Sequence, residues 1–133
     1  MDLTGWSDMQ ILTVAARAVQ QHTTTHLKRL GIPHLGLYVL EYLAERSPLF
    51  QSELAHLVLV RTPTITAVLV RLEREHLITR QHGVHRNQVA VAITDQGRKV
   101  LTAAQDHLRA LQPCIDVEDL RPILLSIIER TAH

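Results

Sequence analysis

The sequence predicts a mainly helical domain that carries one small antiparallel β-hairpin. Apolar residues recur at helical spacing over most of the chain, two short stretches alternate between apolar and polar residues, and helix start and stop signals lie between these segments. The length of 133 residues suits one domain. Hydrophobic residues make up 46% of the chain and charged residues 20%. This composition is typical of a folded globular protein rather than of a disordered chain.

The first predicted element is a long helix over residues 7–30. Ser7 is its expected N-cap. Gly31 ends it, in the position where a left-handed residue is common. Pro33 then begins a second helix that runs to about Arg46.

A helix-turn-helix pattern follows. A short extended piece at residues 49–50 leads into a short helix over residues 51–58. Thr62 as N-cap and Pro63 in the first helical position predict a further helix that ends near His76. One face of this helix is apolar, namely Ile65, Val68, Leu69 and Leu72.

The next two segments predict a hairpin. Residues 77–81 and 87–93 alternate like strands, and the intervening residues 82–86 form a tip with three basic or titratable side chains. A hairpin directly after a helix-turn-helix is the order of a winged helix-turn-helix.

Two further helices complete the chain. Thr94 is expected to cap a helix that continues to residue 112, and a last helix is predicted over residues 116–130. The predicted organisation is a winged lobe at residues 33–94, flanked by helical segments 7–30 and 95–130. The apolar stripes of the flanking helices exceed what one small domain can bury, which predicts a homodimer formed through them.

Four stretches of this lobe carry the most specific pattern. They are Ser52-Glu53-Leu54-Ala55, Thr62-Pro63-Thr64-Ile65-Thr66, the run from Arg71 to Arg80, and the run from Val89 to Thr94 together with Gly97. In these stretches the sequence resembles the MarR family of transcription regulators. The order and lengths of the predicted helices extend the likeness over residues 1–133. The resemblance implies one domain, a homodimer, double-stranded DNA as partner, and repression at a pseudo-palindromic operator with release by a small ligand.

The sequence departs from the family pattern at several turns. Where the family's wing usually has Asp-x-Arg, this chain has His85-Arg86-Asn87, so its basic residue is displaced to Arg86. Leu59 and His76 stand where the family usually has glycine. If the wing has lost its role, the alternative is a winged helix that serves as a protein-interaction module with weak DNA binding.

The basic charge of the chain is concentrated in the predicted lobe. The whole chain has a formal net charge of only +1, from 14 Lys and Arg against 13 Asp and Glu. Between Arg61 and Lys99, however, the sequence contains seven basic residues and only three acidic ones. Such a concentration favours a surface for phosphates, although a solvated charged face would give the same count.

Roles within this surface follow from position. The N-terminal residues of a recognition helix reach base edges, and threonine offers a hydroxyl group and a methyl group to them. Arg71 and Arg74 lie further along, where they contact phosphates or pair with Glu73 and Glu75. Wing residues approach the minor groove. The predicted DNA contacts are Arg61, Thr62, Thr64, Thr66, Arg71, Arg74, Arg80, His82, His85, Arg86 and Asn87.

The resemblance also implies a pocket for a small aromatic acid or phenol. Arg17, His22, Tyr38 and Tyr42 are the candidates to line it. Tyr38 and Tyr42 are four residues apart, however, so packing along one helix face explains them equally well.

The nine histidines suggest a metal site as a further alternative. His22 and His26 are four residues apart on the first helix and share a face, and His34 and His107 are possible additional ligands. A metal-responsive regulator would use this pair. The competing interpretation is a set of polar histidines at a dimer or pocket surface, and we expect no cofactor.

Other classes find no support in the sequence. There is no glycine-rich phosphate loop, no Gly-x-Ser-x-Gly elbow and no His-Glu-x-x-His motif, so we expect no enzyme. The single cysteine, Cys114, is expected to be an inert thiol in a reducing compartment. No apolar run is long enough to cross a bilayer, and we expect a cytoplasmic protein without a membrane partner.

Overall fold

A computed structural model of the protein describes residues 2–83, 88–111 and 118–132. The expected wing contacts His85, Arg86 and Asn87, and the single cysteine Cys114, lie outside the described residues.

The first helix begins at the predicted cap. Helix α1 spans Asp8–Leu27 and continues as a 3₁₀ turn, Lys28–Leu30. The Ser7 hydroxyl accepts a hydrogen bond from the Gln10 backbone amide at 3.2 Å, and the Gln10 side chain accepts one from the Ser7 amide at 2.8 Å. Gly31 ends the segment with a φ of 72°, as its position predicts.

Helices α2 to α4 form the central lobe. Helix α2 (His34–Glu45) is followed by strand β1 (Leu49–Phe50), helix α3 (Gln51–Leu57) and helix α4 (Thr62–Arg74). The chain bends by 112° between α3 and α4, within the range of a helix-turn-helix.

The starts predicted for α2 and α4 each differ from the structure by one residue. Pro33 is the N-cap of α2 rather than its first helical residue. Thr62 is not the N-cap of α4, because the helix already includes it and Arg61 holds the cap position without a side-chain bond. Pro63 consequently lies one residue deeper than predicted. Proline is tolerated there because the first amides of a helix have no partner inside it.

The hairpin packs beside β1 in a small sheet. Strand β2 spans Ile78–His82 and strand β3 spans Val89–Ile93. The strand order is β1-β3-β2, antiparallel throughout, and Val91 lies opposite both Leu49 and Arg80. Both hairpin strands therefore occur where alternation predicts them, although their bounds differ. Strand β2 begins one residue later and includes His82, which was predicted to lie in the tip, and β3 is observed from Val89.

Thr94 links the wing to helix α5 (Asp95–Leu111), which is followed by a 3₁₀ turn, Glu118–Leu120, and helix α6 (Arg121–Thr131). The Thr94 hydroxyl accepts from the Gly97 amide at 2.9 Å, which confirms the predicted cap, and donates to the His76 carbonyl at 2.7 Å. A Cβ atom on Gly97 would clash with the Leu77 carbonyl oxygen, so this close approach requires glycine.

The described core is aliphatic and lies mainly within the lobe. Leu40, Leu43, Leu54, Ile65 and Leu69 are fully buried there. By contrast, Leu27 is the single buried residue of α1, and α6 has none. The terminal helices thus leave most of their apolar side chains uncovered in one chain.

Among the described residues, no single helix is both long and apolar enough to cross a membrane; α3 and α4 reach that threshold only as a pair, across their bend.

Candidate nucleic-acid interface

Helix α4 separates an apolar face from a polar one. Its inner side chains Ile65, Leu69 and Leu72 are wholly inaccessible to solvent. The opposite face is exposed, and it presents Thr62, Thr64, Ala67, Arg71 and Arg74. The buried face anchors the helix in the lobe, so the polar face is held in a fixed orientation.

The N-terminal end of α4 is suited to an anion. Its first turn contains no acidic residue. The positive end of the helix dipole and the free backbone amides of a first turn both attract phosphate. Arg61 precedes the helix and is exposed. Thr62 and Thr64 are exposed on the same turn, so two hydroxyl groups and one guanidinium lie at this end.

Thr66 has a different environment from the other threonines. It is half-buried, and its hydroxyl oxygen accepts a hydrogen bond of 2.7 Å from the Gln51 side-chain amide. This bond joins the start of α3 to α4. In the free protein Thr66 therefore contributes to the packing of the two helices.

Arg71 is engaged within the chain as well. Its guanidinium donates to the carbonyl oxygen of Gly31 at 3.1 Å, which connects α4 to the turn after α1. No ion pair of Arg71 or Arg74 with Glu73 or Glu75 occurs among the described residues. Arg74 is exposed, at the C-terminal end of the same helix.

The described part of the wing contains one ion pair. Arg80 on β2 pairs with Glu73 on α4, with the guanidinium nitrogen 3.2 Å from the carboxylate oxygen. This pairing lowers the pKa of Glu73, chiefly through the hydrogen bond that Arg80 donates. His82 at the end of β2 is exposed. Arg80 therefore braces the wing against α4 in the free protein, whereas His82 faces solvent.

The four candidate effector residues are not all found in any one of the cavities described for residues 2–83, 88–111 and 118–132. Tyr38 and Tyr42 line a cavity of about 410 Å³ together with residues of the turn after α3. Arg17 lines a separate cavity of about 490 Å³, between α1 and the start of α2. His22 lines neither of these two cavities.

Three histidines meet where α1 packs on α5. The ring centroids of His22 and His26 are 4.5 Å apart, and those of His26 and His107 are 5.6 Å apart. His34 is not part of this cluster, since its ring packs against Tyr38 and its Nδ1 atom lies 3.4 Å from the Thr24 hydroxyl oxygen. In the described ranges, no group of three or more histidine, cysteine or acidic side chains is arranged to hold a metal ion.

Sequence reasoning missed two groups of residues. Glu41 and Glu45 line the same cavity as the tyrosines. They lie three and seven residues after Tyr38, a spacing that places all three residues on one helix face, so the sequence could have identified them. Gln51 and Gly31, which hold Thr66 and Arg71, are distant in the chain from their partners, and no local pattern indicates such contacts.

The first and last helices of the chain, α1 and α6, both expose apolar side chains. On α6 and the turn before it, Leu120, Ile123, Leu125 and Ile128 are between 46% and 58% exposed. On α1, Met9 is 63% exposed and Val14 is 44% exposed. These residues form an uncovered apolar surface at each end of the chain, a feature typical of protein interfaces.

Comparisons with known proteins agree with this architecture. The MarR family model matches residues 36–84. The transcriptional repressor MdtR of Bacillus subtilis is 29% identical over 93 residues, or 68% of this chain. That match spans 60% of the repressor's own length.

Solved structures match over nearly the whole chain. The transcriptional regulator BldR from Sulfolobus solfataricus has a TM-score of 0.82 at 29% identity and covers 92% of each chain. The DNA complex of MepR from Staphylococcus aureus has a TM-score of 0.76 at 18% identity, over 94% of this chain and 96% of that one. At that identity, the likeness to MepR concerns the fold alone.

The family model, the sequence relative and the solved folds confirm the predicted resemblance of this chain to the MarR family of transcription regulators, which the family model locates at residues 36–84.

Proposed function

We propose that this protein is a homodimeric transcription regulator that represses by binding a pseudo-palindromic operator. The observation that carries the proposal is the N-terminal half of α4, whose inner face is buried while Thr62 and Thr64 are exposed and no acidic residue occupies the first turn. A helix of this kind places hydroxyl groups at base edges and its positive end near a phosphate.

The relatives support the proposal at the level of the family. MdtR is named as a transcriptional repressor, and MepR has been solved in complex with DNA. For this chain, repression and operator binding are inferences from that likeness and from the exposed face of α4.

The dimer is inferred from the terminal helices. Ile123 and Ile128 are 58% and 49% exposed on α6, and Val14 is 44% exposed on α1. Pairing of these helices with those of a second copy would remove the apolar side chains from water. Two α4 helices would then lie about one DNA turn apart, which matches a pseudo-palindrome.

A selection of binding sites from random DNA tests the operator. We expect the purified protein to enrich a pseudo-palindrome. Its affinity should fall with salt at a logarithmic slope of about −5 to −9, if the dimer neutralises roughly 6 to 10 phosphates. A slope near zero and no enriched sequence would favour the protein-interaction module instead.

Sedimentation equilibrium tests the dimer. The parent protein should sediment at twice the 15.0 kDa of one chain. Ile123→Glu combined with Ile128→Glu should give the monomer without loss of helix content, because both side chains are already exposed in the single chain. Glu129→Gln on the same helix is the control and should stay dimeric. A monomeric parent protein would contradict the proposal.

We further propose that a small ligand releases the protein from its operator. The cavity between α2 and the turn after α3 supports this, because a ligand there would contact the residues that lead into α4. Release of a selected operator by candidate ligands, measured by fluorescence anisotropy, tests the proposal.

A further inference from the structure

The cavity of about 410 Å³ beside α2 has an unusual combination of walls. One side consists of Tyr38, Glu41, Tyr42 and Glu45, which occupy successive positions on one helix face. The other side is the apolar turn of residues 57–59. Cavities from about 300 to 1,000 Å³ hold small molecules in proteins. The size is therefore that of a ligand site, and the walls combine aromatic rings, aliphatic groups and carboxylates.

The charge in this cavity is negative. Glu41 and Glu45 are its carboxylic acids, and no basic side chain of the described residues lines it. Within the described residues neither carboxylate forms an ion pair. Arg98 of α5 lies on the other side of the two glutamates, where all three line a second cavity. A benzoate-like anion in the first cavity would therefore meet two like charges and no counter-charge.

Glu41 is half-buried, so its negative charge is costly without a ligand. Burial raises the pKa of Glu41, as does the charge of Glu45, whereas the Gln105 side chain opposes the shift. Burial and the charge of Glu41 also raise the pKa of Tyr38. Two tyrosine rings nearby offer electron-rich faces, which attract cations. The two carboxylates and the two ring faces would each be stabilised by a positive charge in the cavity.

We propose that this cavity binds a small organic cation with an aromatic or aliphatic body. The charged group would lie between the carboxylates of Glu41 and Glu45 and the ring of Tyr42, and the apolar body would rest on residues 57–59. The proposal reverses the sign of the ligand expected from the family resemblance. It concerns the free protein and does not depend on DNA binding.

Calorimetric titration with benzyltrimethylammonium tests the binding. We expect saturable binding of this cation, weaker binding of the neutral benzyl alcohol, and no binding of benzoate at equal ionic strength. Binding of the cation should weaken as the pH falls through the raised pKa of Glu41, because protonation removes the negative charge. Benzoate that binds as tightly as the cation would overturn the proposal.

Matched variants locate the site. Glu41→Gln and Glu45→Gln keep the side-chain shape and should each weaken cation binding several-fold. Tyr42→Leu should weaken it by about 2- to 30-fold, whereas Tyr42→Phe keeps the ring and should retain the affinity. Glu129→Gln on α6 removes the same charge elsewhere and should have no effect. The exposed positions of Glu45 and Tyr42 allow these variants to fold even if Glu41→Gln does not. Equal losses for Glu45→Gln and Glu129→Gln, or no loss for Tyr42→Leu, would overturn the site.

Discussion

The Arg80 guanidinium lies 3.2 Å from the Glu73 carboxylate, so an ion pair connects the first strand of the wing to the helix proposed to read DNA. The arginine side chain is only 16% exposed, whereas the glutamate side chain is 41% exposed. The pair is thus partly shielded on the arginine side. It fixes the base of the wing relative to α4. The DNA contact predicted for Arg80 from the sequence would require its guanidinium to bind a phosphate in addition to Glu73 or in place of it.

The ion pair predicts a pH-dependent contribution to stability. The pKa of Glu73 is lowered below its ordinary value of 4.5 in the folded state. A lowered acid pKa contributes stability that is present above the unfolded value and is lost as the pH falls through the folded value. Glu73→Gln should therefore reduce the free energy of unfolding in urea at pH 7, and the difference from the parent protein should shrink towards pH 3.

The matched control for this variant is Glu75→Gln, two residues further along the chain, which pairs with no described cation. An equal loss in both variants at pH 7 would show that the Arg80 pair contributes nothing specific.

Thr64 and Thr66 lie two residues apart on α4, and we expect different effects from their substitution. Thr64 should affect DNA binding, whereas Thr66 should affect stability. Thr64→Val should leave stability unchanged, because its hydroxyl group is exposed. It should weaken binding of a selected operator by about 1–3 kcal/mol, with random DNA nearly unaffected. Thr66→Val removes the acceptor of the Gln51 amide and should lower the free energy of unfolding by about 1 kcal/mol.

Urea unfolding and fluorescence anisotropy on operator and random DNA separate these effects. If Thr64→Val weakens binding to both DNA types equally, Thr64 does not contact a base.

Local patterns predicted the helices and strands but not the contacts between them. The Ser7 and Thr94 caps, the buried face of α4 and the alternating strands all depend on residues close in the chain, and each is observed. Arg71 bonds a carbonyl 40 residues away, and Thr66 bonds a side chain 15 residues away. Such contacts depend on how the helices pack, and the spacing of residues within one helix contains no information about them.

The departures from the family pattern have a clear structural counterpart at two positions. Leu59 and His76, which stand where the family usually has glycine, have φ values of 58° and 62°. The backbone thus retains a left-handed conformation that favours glycine, although both residues carry a side chain. The resemblance to the family pattern indicated where the turns differ in sequence, but only the structure shows that their backbone has a left-handed conformation.

Glycine at one of these positions should stabilise the protein. His76→Gly removes the strain of a side chain at positive φ, and we expect a net gain of about 0.5 kcal/mol after the greater entropy of glycine in the unfolded chain is subtracted. Glu75 has a φ of −83°, so Glu75→Gly should instead lose about 0.5–1 kcal/mol. The melting temperatures of the two variants, measured by thermal unfolding, test this difference between two neighbouring exposed residues. The same direction of change in both would contradict the role assigned to the left-handed backbone.

The three histidines between α1 and α5 predict a loss of stability in acid. The pKa of His26 is lowered from 6.5 by burial first, then by His22 and His107, and also by Arg29. No acidic group among these neighbours compensates a proton on the ring. His22 Nε2 is buried and lacks a hydrogen-bond partner within the described residues.

The sign of this effect follows from linkage. The folded state binds a proton at His26 less readily than the unfolded chain does, so stability is fully present above pH 6.5 and falls as the pH drops towards the lowered pKa. The urea midpoint of the parent protein should therefore decrease between pH 8 and pH 5. His26→Gln should make this decrease smaller, because glutamine does not titrate. His56→Gln on the exposed face of α3 is the control, and it should leave the decrease unchanged. A decrease that is the same in the parent protein and in His26→Gln would exclude the cluster as its cause.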